Sequence, residues 1–229
     1  MKREEIILNY LEERQFASIA ELAKAIFTSE ATVRRCVKEL ERQGYLKAVY
    51  GGVVRAEYQK QPVPIDLRDG ENHAAKERLG ARAAAMIEDH STILLDSSTT
   101  ARRICKHIGD REGLTVITSS LRVCRELKDS PIRVVCTGGT LLPRRECFAG
   151  HFAEEFVSKI KADYFFFSAQ GLSQNGDITD SSEEEIALRK AMLSASKNSV
   201  FLCDPSKEGK DFPFTVCNVS ELTAVLKDE

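Results

Sequence analysis

The chain has 229 residues, with 33 Lys and Arg against 35 Asp and Glu, and 42% of its residues are hydrophobic. At roughly 150 residues per domain this suits one large domain or a small-plus-large pair, and the balance of apolar and charged residues excludes a disordered chain, a collagen or a coiled-coil rod. The longest apolar runs fall far short of the ~20 residues that cross a bilayer, and no apolar signal region follows Met1, so a cytoplasmic protein is expected.

Ile6, Ile7, Tyr10 and Leu11 recur on one face of a helix over residues 3–14. Ser18-Ile-Ala-Glu21 is a capping box that opens a second helix, with Leu22 and Ile26 as its apolar stripe. Phe27-Thr28 makes a short turn, Ser29 caps a third helix running to about Gln43, and Gly44 takes its left-handed stop. Residues 1–31 carry four cations and six anions. Residues 32–55 reverse the sign: Arg34, Arg35, Lys38, Arg42, Lys47 and Arg55 face only Glu39 and Glu41, a net +4. With Arg34 at zero, Lys38, Arg42 and Arg35 fall at about 40°, 80° and 100° around the third helix, and Val33, Cys36, Val37 and Leu40 lie opposite. A basic face of this kind suits a duplex groove, although a solvated surface helix has the same pattern. Tyr45–Tyr50, Gly51-Gly52 and Val53–Arg55 then read as strand, two-residue turn and strand, a wing able to lie along phosphates or simply to close the core.

Pro62 and Pro64 disfavour helix and central strand and mark a boundary. The expected division is a DNA-binding domain over 1–57, a linker over 58–72 and a larger α/β domain over 73–229. In the last, an Ala-rich helix over 73–88 precedes the strand Ser91–Leu95, and Asp96-Ser97-Ser98-Thr99-Thr100 leads into a helix carrying Ile104 and Ile108. Strand Leu114–Thr118 ends in Ser119-Ser120, and strand Ile132–Cys136 ends in Thr137-Gly138-Gly139. Strand Tyr164–Ser168, a helix over 183–196 containing Lys190, and strand Val200–Cys203 before Asp204-Pro205-Ser206-Lys207 complete the pattern. Strands alternating with helices predict a mostly parallel sheet, whose strand ends share one edge. The small polar loops are then expected to line one crevice, where Lys190 and Lys207 would neutralise a phosphate. Capping alone also explains a Ser- and Thr-rich strand-to-helix loop. The cysteines at 36, 105, 124, 136, 147, 203 and 217 form no Cys-x-x-Cys pair, so reduced, mostly buried thiols are expected, with no metal and no cofactor.

The Ser-capped turn, Thr32-Val33-Arg34-Arg35, Leu40-Glu41-x-x-Gly44 and Tyr50-Gly51-Gly52 together resemble the winged helix-turn-helix of DeoR-type bacterial transcriptional regulators over residues 2–55. Three departures from that pattern cover four positions: Cys36-Val37 replaces Asp-Leu, Ala48 stands where Arg is common, and Val53 replaces a small residue. The resemblance implies double-stranded operator DNA as partner, met by Ser29, Thr32, Arg34, Arg35, Lys38, Arg42, Lys47, Tyr50, Gly51 and Gly52. Residues 66–229 resemble the sensor domain of the same family, similar in fold to ribose-5-phosphate isomerase and the coenzyme A transferases. This implies a site for a phosphorylated sugar or related metabolite at Asp96, Ser97, Ser98, Thr99, Thr100, Thr118, Ser119, Ser120, Gly138, Gly139, Lys190, Asp204 and Lys207. Ser98 replaces the family's Gly and Ser119 its Asn. A homo-oligomer, dimer or tetramer, is expected, because such modules read paired half-sites.

The function expected is therefore a DNA-binding regulator, a repressor of carbohydrate genes that answers to a phosphorylated sugar. Two other readings compete. One is an isomerase-like enzyme with an accessory winged helix, for which Asp96, Glu146 and Glu183 are the available carboxylates, though no spacing among them marks a base. The other is a winged helix that binds protein rather than DNA.

Overall fold

A computed structural model describes residues 3–14, 16–42, 45–49, 52–55 and 65–228. The chain divides into two compact units, residues 1–71 and 72–229. In the first, α1 (Arg3–Glu13), β1 (Phe16–Ser18), α2 (Ile19–Ala25), α3 (Glu30–Arg42), β2 (Leu46–Val49) and β3 (Gly52–Arg55) are followed by a short helix α4 (Ile65–Gly70). Ser18 caps α2 as its sequence predicts, with Glu21 N donating to Ser18 Oγ at 3.1 Å and the Glu21 carboxylate accepting from Ser18 N at 2.8 Å. Ile7, Leu11, Leu22, Val33, Val37, Leu40, Leu46 and Val53 build one core.

Three features of this unit were not anticipated. Phe16–Ser18 forms a third strand, pairing antiparallel with β3 in the sheet order β1-β3-β2. In the hairpin Val49 stands opposite Gly52, so Gly52 is a strand residue and not half of the turn. Tyr50 and Gly51 lie outside the described residues, as do Gly44 and the Pro62–Pro64 boundary. Gly52 is required by close approach, because a Cβ there would sit 2.1 Å from the Ala17 carbonyl oxygen. Helix α4 occupies part of the expected linker.

The second unit contains α5 (His73–Ala84), β4 (Thr92–Leu95), β5 (Thr115–Thr118), α6 (Leu121–Leu127), β6 (Arg133–Cys136), β7 (Thr140–Leu142), β8 (Cys147–Ala149) and α7 (His151–Ser158). These lead on to β9 (Ala162–Phe167), β10 (Gly171–Leu172), β11 (Asp177–Asp180), α8 (Glu183–Ser194), β12 (Ser196–Cys203), β13 (Phe214–Asn218) and β14 (Ala224–Lys227). The main sheet runs β14-β12-β9-β4-β5-β6, every neighbouring pair parallel. Alternate residues feed opposite faces, as strand geometry demands. Ile93, Leu95, Val116, Phe166, Val200 and Leu202 pack on one side with α5, α6 and the segment 101–108. Leu94, Ile117, Phe165, Phe167, Phe201 and Cys203 pack on the other with α7, α8 and the small sheet β10-β11-β13.

Local windings differ from the expected ones. Helix α5 ends at Ala84, and Met86 N and Ile87 N bond instead to the carbonyls three residues back, which tightens the last turn. Residues 101–107 wind as a 3-10 helix rather than an α-helix. Among the described residues no helix is long and apolar enough to cross a membrane. None of the seven cysteines is in a disulfide; Cys136 is exposed and Cys124 half-buried, the other five buried.

Candidate nucleic-acid interface and effector site

Helix α3 turns Val33, Cys36, Val37 and Leu40 into the core, which leaves Arg34, Arg35, Lys38 and Arg42 exposed on its other side. At its start Ser29 Oγ accepts from Thr32 N at 3.3 Å and lies 3.0 Å from Thr32 Oγ1. The cations are of two kinds. Arg42 forks onto Glu39 at 2.7 and 3.1 Å, which holds its pKa above the usual value, and Arg34 lies 3.5 Å from Glu30. Arg35 and Lys38 make no ion pair with any described residue. Both tethered pairs are exposed and span three or four residues, so water screens them and each yields readily to a phosphate or base edge. Glu41 accepts from Ala48 N at 2.8 Å and ties α3 to the hairpin, where Lys47 is exposed. Between α3 and the hairpin runs an open groove of ≈ 770 Å³ whose lining includes Arg34 and Lys38.

In the second unit the parallel sheet brings the hydroxyl loops to one edge. Asp96 Oδ1 accepts from Ser98 N at 3.0 Å and from Ser98 Oγ at 2.5 Å, and Ser98 Oγ accepts from Ala101 N at 3.1 Å. The hydroxyl that replaces the family's glycine thus caps the 3-10 helix and braces the loop. Ser120 N donates to Thr118 Oγ1 at 3.0 Å, and Ser120 Oγ accepts from Val123 N, capping α6. Thr99, Thr100, Ser119 and Ser120 are all buried. Gly138 and Gly139 have positive φ, and a Cβ on Gly139 would meet the Ala149 carbonyl oxygen at 2.6 Å.

Five ionised side chains, none more than 5% exposed, fill the crevice beside these loops. Arg189 Nε donates to Asp96 Oδ2 at 3.0 Å and its Nη1 to Asp180 Oδ2 at 2.9 Å. Arg145 pairs with Glu185 and lies 3.9 Å from Asp180. Ser97 Oγ donates to Glu185 Oε1 at 2.6 Å. Burial works to lower the pKa of Arg189, but Asp180 and Asp96 outweigh it and hold the guanidinium above its usual value. Farther along the same edge, after β12, Asp204 accepts from Asn72 Nδ2 at 2.9 Å and from Ser206 N and Oγ, and lies 3.8 Å from Lys207 Nζ. Burial pushes the Asp204 carboxyl up, while Lys207, Ser206, Asn72 and Lys76 together bring it below its ordinary value.

Two family models divide the chain: the DeoR-like helix-turn-helix domain matches residues 3–59 and the DeoR C-terminal sensor domain residues 71–229. The chain belongs to the DeoR family. It is 30% identical over its full length to an uncharacterised HTH-type transcriptional regulator of Haemophilus influenzae, of which it covers 89%. It is 29% identical to the lactose phosphotransferase system repressor of Staphylococcus aureus, over 91% of this chain and 84% of that one. Among solved structures, ribose 5-phosphate isomerase A from Methanocaldococcus jannaschii aligns with 60% of this chain and 55% of its own, at 16% identity and a TM-score of 0.46.

DeoR proteins are transcriptional regulators and not enzymes. Asp96 is held by Arg189 and Ser98, Glu146 by Arg122 at 2.9 Å, and Glu183 is exposed at the start of α8. The open crevice expected from the loop pattern needs correction. Asp96, Ser97 and Ser119 do meet, with Glu185, Leu188, Arg189 and Met192, but around only ≈ 10 Å³ of space, room for about one water. Ligand sites for small metabolites run to hundreds of Å³. A wider groove of ≈ 620 Å³ lies at the opposite edge of the sheet, between the ends of α7 and α8 and away from every hydroxyl loop.

Lys190 does not join the loops in this DeoR-family unit. It is exposed and lies near Cys217 on β13, whereas the preceding residue, Arg189, points into the cluster. Sequence reasoning missed Arg145, Asp180, Glu185 and Arg189. Glu185 and Arg189 carried a signal, being an i,i+4 pair at the start of a helix whose other two early glutamates, Glu183 and Glu184, are exposed. Arg145 and Asp180 carried none, because they reach the site from a turn and a strand brought there by the fold.

Proposed function

We propose that this DeoR-family regulator is a repressor of carbohydrate-metabolism genes whose operator affinity is set by a phosphorylated sugar-type metabolite bound in its second unit. The observation that supports DNA reading best is the outward cationic face of α3, with Arg35 and Lys38 unengaged by any described residue and Arg34 and Arg42 only loosely tethered. Residues 1–57 form the DNA-binding domain, 58–72 a connector and 73–229 the sensor. Support for repression comes from the lactose phosphotransferase system repressor, similar along 91% of the chain. Support for an anionic effector comes from two buried arginines among hydroxyl loops at the carboxyl edge of a parallel sheet.

The effector enters by displacing the internal carboxylates. Its phosphate takes the guanidinium groups of Arg145 and Arg189, and Asp96, Ser97 and Ser119 receive its hydroxyls. Such an exchange costs little net charge pairing, and so couples occupancy to a rearrangement of the loops. A coupling of ~1–3 kcal/mol changes operator affinity roughly 5–150-fold. The protein acts as at least a dimer, which lets two α3 helices read two half-sites. A panel of sugar phosphates and the matching free sugars, screened by thermal shift and then by anisotropy on a selected operator duplex, tests this. A phosphosugar at 100 times its dissociation constant adds ~2.7 kcal/mol of stability. Stabilisation by free sugars alone, or by none of the panel, refutes the effector; no duplex selected at any salt refutes the DNA partner.

A further inference from the structure

The turn between α2 and α3 carries a side chain that the core does not use. Phe27 is 95% exposed, and its backbone lies in the left-handed region at φ +50°. The turn closes around it through Phe27 N to the Lys24 carbonyl at 3.3 Å and Thr28 N to the Ala23 carbonyl at 2.9 Å. Glycine adopts this conformation without steric cost, and turns of helix-turn-helix units often contain one. Phenylalanine here suffers the Cβ crowding of a left-handed residue and leaves its ring in water. Folding therefore disfavours Phe27 twice, and strained residues of this sort gather where a partner is met.

The surroundings fit one partner. Two residues on stands Ser29 at the start of α3, followed by Thr32, Arg34 and Arg35; three residues back is Lys24, an exposed cation at the end of α2. A recognition helix sets its N-terminal residues against base edges, so the residue just before that end lies at the groove wall. The major groove offers one apolar feature, the C5-methyl of thymine, and a phenyl ring is among its usual partners. We propose that Phe27 is a base-reading side chain that packs its ring on a thymine methyl beside the bases met by Arg34 and Arg35, while Lys24 holds the adjoining phosphate. This rests on the DNA-binding reading of α3 given above and adds a specificity determinant outside that helix.

The test uses the full-length chain and a random-sequence duplex pool, selected and sequenced for wild type, Phe27→Ala and Phe27→Gly. Wild type enriches a thymine at one position flanking the arginine-read bases, and both variants lose that preference. Deoxyuridine in place of that thymine removes only the methyl, and it weakens wild-type binding by about five- to tenfold, at the lower end for a single base pair. The variants bind both duplexes equally. Melting separates the ring from the backbone: Phe27→Gly raises Tm by releasing the left-handed strain, whereas Phe27→Ala keeps the Cβ and does not. Variants that select the same thymine, or a wild type indifferent to deoxyuridine, overturn the inference alone. So does a change of oligomeric state in the variants with unchanged selection. A wild type that enriches no duplex overturns the DNA-binding reading, and this inference with it.

Discussion

Replacing Arg189 by Met removes one of the two cations that hold three buried carboxylates at the carboxyl edge of the sheet. Its side chain is 4% exposed and meets Asp96 at 3.0 Å, Asp180 at 2.9 Å and Glu185 at 3.6 Å. In the variant the cluster keeps three acids and only Arg145, so its formal charge falls from −1 to −2. Arg145 already serves Glu185, and Asp96 is left with the Ser98 hydroxyl and the backbone amides of Ser98 and Ser168. Breaking a buried pair from one side costs about 3–5 kcal/mol. A unit of this size loses ~2–4 °C of Tm per kcal/mol, so a drop of roughly 6–20 °C is expected. Urea denaturation and thermal melts followed by circular dichroism measure it, with the near-ultraviolet spectrum checking that the variant is native in the cold.

The charge argument has a second signature. With Arg189 absent, the stranded carboxylates bind protons more tightly in the folded than in the unfolded chain, so acid favours the folded variant. The gap between wild type and variant therefore narrows as the pH is lowered. Adding Asp96→Asn or Asp180→Asn to Arg189→Met restores part of the loss. A cost below ~1 kcal/mol, or a gap that ignores pH and both second substitutions, refutes the view that Arg189 acts through charge.

Three further outcomes are expected. Arg34→Ala with Arg35→Ala abolishes preference for the selected duplex, while Lys38→Ala weakens binding to all duplexes alike and reduces the salt slope by about 1, both read by anisotropy across a salt series. Gly52→Ala destabilises the winged helix by ~1–3 kcal/mol, because its Cβ meets the Ala17 carbonyl at 2.1 Å, and a melt within 1 °C or so of wild type would contradict this. Asp204 has a folded pKa below its unfolded value near 3.8, so it stabilises above that pH and the contribution disappears as pH falls through the folded pKa. Asp204→Asn therefore lowers stability at neutral pH and flattens the acid limb below about pH 4, measured by urea titrations at successive pH values.

What the sequence determined by itself is what local chemistry can encode. The Ser18–Glu21 capping box, the start of α3 at Ser29 and the division of that helix into a core face and a cationic face depend on neighbours within four residues, and they occur where the pattern places them. The parallel sheet was equally legible, because strands buried on both faces must be short apolar runs and their small polar ends must gather at one edge. Tertiary structure alone decided the rest. The strand at Phe16–Ser18 exists through its pairing with β3, and that pairing makes Gly52 a close-approach residue instead of a turn residue. The crevice beside the loops is filled because Arg145, Asp180 and Arg189, separated by 35 and 9 positions, converge there to neutralise one another. No periodicity records such a meeting, since a buried charge is tolerated only where the whole fold delivers its partner.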